Sequence, residues 1–129
     1  TAEGRAQLRE RVGSYLDYAA QQVAPNAQRD AGLQDETALI PLRESPHDWQ
    51  VALNAGVHYV FIGACDDDCT NLDIELLDGS NAVVASDVLP DDFPIVRITP
   101  TANATYTVRT HLRTCTVEPC QVGVRVLTE

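Results

Sequence analysis

Between Cys65 and Pro94 the chain reads CDDDCTNLDIELLDGSNAVVASDVLPDDFP, and this stretch dictates much of what can surround it. From Leu72 the residues alternate. Leu72, Ile74 and Leu76 fall on one side while Asp73, Glu75 and Asp78 break the pattern on the other, the period of two that marks a half-buried strand. Asp78-Gly79-Ser80-Asn81 then turns the chain, because Gly tolerates positive φ and the Asp, Ser and Asn side chains can bond local backbone groups. A second strand is expected from Ala82 to Ser86. Pairing across this turn predicts partners whose numbers sum to about 159 or 160, which sets Asp73 opposite or diagonal to Asp87.

The same stretch holds the charge. Between Glu44 and Val96 there are eleven Asp or Glu and no Arg, whereas the remainder has eight acids against nine Arg, so the net charge of -10 comes from the middle of the chain. Three uses of such a cluster stand open: solvated carboxylates that cap turns and strand ends, docking of a basic partner protein, or a Ca²⁺ site. The last would draw its hard oxygen ligands from Asp66, Asp68, Asp73, Asp87, Asp91 and Asp92, although the spacing is not that of an EF-hand loop.

With 129 residues the chain is long enough for one domain with its own core. No apolar run is long enough to cross a bilayer as a helix. The acidic balance argues against nucleic acid as a partner. The sequence contains no Met, which predicts a mature chain with its leader removed and Thr1 as a processed end. Its four Cys form two close pairs, Cys65 with Cys69 and Cys115 with Cys120. Local pairing needs no long-range coincidence, so two disulfides are expected at two corners; a structural zinc site is the alternative, with spacings unlike the usual knuckles. Disulfides imply an oxidising compartment, periplasmic or extracellular.

Along the chain, Arg5 to Val23 reads as an amphipathic helix with Leu8, Val12, Tyr15, Leu16, Ala19 and Val23 on one stripe, stopped by Pro25 and Asn26. The stripe suits either an open face of the main domain or a partner or second copy. Asn26 to Glu36 is a polar linker with little to order it, so residues 1–36 form a helix-and-linker unit beside a core of residues 37–129. In that core, strands are expected at Thr37 to Leu42 as an edge, Trp49 to Leu53, Val57 to Ala64 as a central strand, the two strands above, Ile95 to Thr99, Thr105 to Leu112, and Gln121 to Leu127. Seven or eight short strands with regular turns predict an all-β sandwich of jelly-roll or Greek-key order with one N-terminal helix.

The order Trp49-x-Val51-x-Leu53-x-Ala55-Gly56-x-x-Tyr59-x-Phe61, then Leu72-Asp73-Ile74-Glu75-Leu76, a Gly turn, Thr99-Pro100 and Tyr106-x-Val108 resembles the bacterial pre-peptidase C-terminal domain. The likeness runs roughly from Ser45 to Thr128. It implies a non-catalytic β-sandwich of the kind appended to secreted enzymes, in some cases associated with calcium or with polymeric substrates, and it matches Asp73 to the family's aspartate opening the D-L-x-L strand. The N-terminal helix, the two Cys pairs and the lack of an attached peptidase depart from that setting and favour a free-standing or partner-bound protein.

No catalytic constellation stands out. His47, His58 and His111 are not spaced as a metal set, no Ser lies in a G-x-S-x-G elbow, and disulfides would consume every thiol. An Asp73 and Asp87 carboxylate pair would need an aromatic-lined sugar cleft, and the chain has one Trp, four Tyr and two Phe. Asn103-Ala104-Thr105 has the form of a glycosylation sequon. The expected function is therefore a secreted or periplasmic interaction or scaffold domain and not an enzyme, holding a protein partner or a second copy through the helix or a sandwich face. The alternative is a Ca²⁺-dependent module recognising a polysaccharide or protein.

Overall fold

The computed structural model describes all 129 residues. One helix, α1 (Ala2–Val23), precedes nine strands: β1 (Gln28–Arg29), β2 (Glu36–Ile40), β3 (His47–Leu53), β4 (Tyr59–Cys65), β5 (Leu72–Leu77), β6 (Val83–Asp87), β7 (Ile95–Ile98), β8 (Ala104–Leu112) and β9 (Cys120–Thr128). The strands make two antiparallel sheets. One has the order β1-β9-β4-β7 with β2 also paired to β9, and the other the order β3-β8-β5-β6. Taken from β2 onward, eight strands distribute between the sheets as a jelly roll, in accord with the sequence.

The core follows from the alternation. Val51 and Leu53 of β3, Ile74 and Leu76 of β5 and Val108 of β8 face Tyr59 and Phe61 of β4, Val96 of β7 and Val124 and Val126 of β9. Both disulfides sit at one end of the sandwich among Ile40, Leu72, Leu112 and Val122, with Cα separations of 5.9 Å for Cys65–Cys69 and 6.0 Å for Cys115–Cys120. No cysteine is free, so both local pairings stand.

Helix α1 begins at Ala2, earlier than the apolar stripe alone suggests, because the Thr1 hydroxyl accepts from Gly4 N at 3.0 Å and caps the first turn. Its stripe covers the outer face of the first sheet: Val12 and Leu16 pack on Val60, Ile62, Ala64 and Leu127. This is why β4 is buried on both faces along its whole length. The helix can come this close because Gly123 lacks a side chain; a Cβ there would stand 2.9 Å from Val12 Cγ1 and 3.2 Å from Leu16 Cδ1. Val12 and Leu16 of the stripe are thus spent inside the molecule, whereas Tyr15 at its flank stays exposed.

Two expectations need correction. The linker after α1 is ordered, since Gln28 and Arg29 pair with Thr128 and Leu127, and Asp35 is held by arginines at both ends of its carboxylate. The hairpin of β5 and β6 also shifts by one residue. A bulge between Leu76 and Leu77 moves the pairing from Leu77↔Val83 to Leu76↔Ala85, so Asp87 lies opposite Ile74 and Asp73 points to the other face.

Candidate functional site

The acidic stretch is used mostly as internal scaffolding. Asp66 is buried, accepting from Asp68 N at 3.0 Å and from Gln121 N at 2.8 Å, and so ties the Cys65–Cys69 turn to β9. Asp68 accepts from the Thr116 hydroxyl at 3.2 Å. Asp87 accepts from Leu89 N at 3.1 Å and Ile95 N at 2.9 Å, bridging the end of β6 to the start of β7, and Asp91 accepts from Phe93 N at 3.1 Å. Asp73, also buried, is paired with Arg113 Nε at 2.8 Å. Of the six residues read as Ca²⁺ ligands, only Asp92 stands exposed without such a role, and no three carboxylate, imidazole or thiolate side chains converge on a common centre. The bulge at Leu76 and capping by Asp87 are the physical reasons that Asp73 and Asp87 do not share a site.

The histidines are likewise separate. His47 Nε2 meets Glu36 Oε2 at 2.8 Å, His58 Nδ1 meets Thr99 Oγ1 at 2.5 Å, and His111 is bonded to Glu75. On the outer face of β3, β8 and β5, Asp48 and Arg109 form a two-point pair at 2.8 and 3.0 Å beside Glu75 and His111. Hydrogen bonding from Arg109, ahead of its charge, holds the Asp48 carboxyl below its ordinary range.

A different region has the shape of a binding site. A groove of about 690 Å³ runs between α1 and the connection from β6 to β7, a size typical of ligand sites. Its floor is Gly63, Ala64 and Cys65 of β4; Tyr15, Tyr18 and Val23 of α1 make one wall, and Asp67, Asp92 and Phe93 the other. Gly63 positions that second wall, since a Cβ there would lie 2.8 Å from Pro94 Cγ, and only glycine lets Pro94 settle on the strand beside Phe93. At one end the Tyr15 hydroxyl donates to Asp67, and Arg11 pairs with the same carboxylate at 2.9 Å. The hydrogen bond to Asp67 pushes the Tyr15 phenol up, and the same bond pulls the Asp67 carboxyl down.

Tyr18 and Phe93 are 69% and 52% exposed, which places two aromatic rings in water at the groove mouth. Sequence reasoning missed this site. It assigned Tyr15 to the buried stripe, whereas Tyr15 turns toward Asp67, and it passed over Tyr18 and Phe93. The available signal was Tyr18 lying three residues beyond Tyr15 on the flank of the helix, the spacing at which helical side chains become neighbours.

A scan against protein-family models finds no match for this chain, and a search of curated proteins finds none either.

Proposed function

We infer that the chain is a non-catalytic interaction domain that works outside the cytoplasm, in the periplasm or the extracellular space, and that it holds a protein partner in the groove between α1 and the β6 to β7 connection. The observation that carries this reading is the pair of exposed rings, Tyr18 and Phe93, facing a preformed apolar floor. Two disulfides in a core that excludes water support the oxidising compartment. The non-catalytic role is supported by the three imidazoles being engaged separately, His47 by Glu36, His58 by Thr99 and His111 by Glu75, with no shared partner. An accessory role is also what the resemblance of the strand motifs to the pre-peptidase C-terminal domain implies.

Affinity capture from a native periplasmic or extracellular fraction tests the reading, using the wild-type chain and a Tyr18→Ala, Phe93→Ala double variant side by side. A partner retained by the first and lost from the second is expected. Identical retention by both, or none by either, would remove the groove as the interaction surface.

A further inference from the structure

We propose that the groove receives an extended basic segment of another protein, seating an apolar side chain between Tyr18 and Phe93 and an Arg or Lys beside Asp92. The proposal rests on the groove being the interaction surface and adds the chemistry of its occupant. Two observations select that chemistry. The lining contains no Arg, Lys or His, and of its two carboxylates Asp67 is met by Arg11 and Tyr15 whereas Asp92 is exposed with its charge uncommitted. The chain as a whole carries a net charge of -10, so its field attracts cations and repels phosphate and anionic lipid.

The occupant is a chain segment, because exposed apolar side chains are not confined to the groove. Val88 and Leu89, 57% and 62% exposed, lie on the same connection as Phe93, and the exposed Val83 and Val84 lie on the edge strand β6 that leads into it. That is more surface than a small amine covers. A second copy would bring the same acidic rim against itself, which costs affinity at any moderate salt.

The test is titration of the ¹⁵N-labelled chain with short peptides that share their Phe and Leu positions and differ only in carrying Arg, Ser or Glu between them. The Arg peptide is expected to bind at least about tenfold more tightly than the Ser or Glu peptide and to weaken between about 50 mM and about 500 mM salt. Its amide shifts should centre on residues 15–23, 63–67 and 91–93. Asp92→Asn should erase most of the preference for Arg over Ser, whereas Asp48→Asn, which removes the same charge from the opposite sheet, should leave it. Equal binding of the Arg and Ser peptides in the groove overturns the basic occupant and leaves the groove standing as an interaction surface. Shifts centred on Asp48 and Glu75, or no shifts at the groove with any peptide, overturn both.

Discussion

Arg125 of β9 and Asp17 of α1, 108 positions apart, meet at 2.5 Å. The guanidinium is buried, and its other edge is taken by Asp35 at 2.9 to 3.3 Å. One strand residue thereby ties down both the helix and the segment that follows it. Asp17 is mostly exposed while Asp35 is largely covered, so the partners are unequal. Arg125→Ala leaves Asp35 without its main counter-charge and should destabilise the fold by about 2 to 4 kcal/mol, whereas Asp17→Asn should cost under about 1 kcal/mol. Urea unfolding of the two variants checks the order; equal losses would refute it.

Stability should fall in acid through identifiable carboxylates. Burial alone would push Asp35 up, but hydrogen bonds from Arg125 and Arg29 overcome it, so its folded-state affinity for protons lies below the ordinary value; Asp48 is lowered by its bond from Arg109. A depressed folded pKa contributes stability above the unfolded value of about 3.9, and the contribution disappears as pH falls through the folded value. Relief of repulsion among the other acids acts in the opposite direction and is common to all variants. The measurement is therefore a difference: between about pH 5 and about pH 3 the urea midpoint of wild type should drop further than that of Asp48→Asn.

The close approach of α1 to the sheet makes Gly123 intolerant. Any side chain there meets Val12 and Leu16, both buried and packed on β4. Gly123→Val should cost about 1 to 3 kcal/mol by overpacking and lift the helix, seen as faster proteolysis within residues 2–23 in native buffer. An unchanged cleavage rate would count against the packing described.

Each disulfide closes a short loop. Replacing Cys115 and Cys120 together by Ser should remove about 2 kcal/mol, and the replacement of Cys65 and Cys69 a similar amount. Thiol titration of the native chain should detect no free thiol before reduction, and calorimetry with reductant should show the corresponding loss in Tm.

By contrast, Tyr18→Ala and Phe93→Ala should change stability by no more than about 0.5 kcal/mol, since both rings stand largely in solvent. Thermal unfolding of the single variants checks this, and a large loss would show that the rings serve the fold.

Much of this architecture was written locally. The apolar run of β4, the alternation of β3 and β5 and the spacing of the cysteines each specify their structure within a few residues, and they led to a disulfide-clasped sandwich. What was not legible depends on distant partners. Nothing near Arg125 announces Asp17 or Asp35, and an ordered linker follows from that contact and from β1 pairing on β9. The bulge beside Leu77 is a one-residue event that sets Asp87 opposite Ile74 and away from Asp73, and the other acids are taken up as caps by backbone and side chains that only the fold brings near them. The groove escaped notice because its walls come from α1 and from the approach to β7, brought together only by the sandwich beneath them.

In the first sheet β9 lies between β4 on one side and β1 and β2 on the other, and it carries the ground on which α1 rests. Without residues 120–128 the facing edges of β2 and β4 would have no partner and α1 would lose part of the surface it packs on, so the first sheet and its helix stand or fall with one strand.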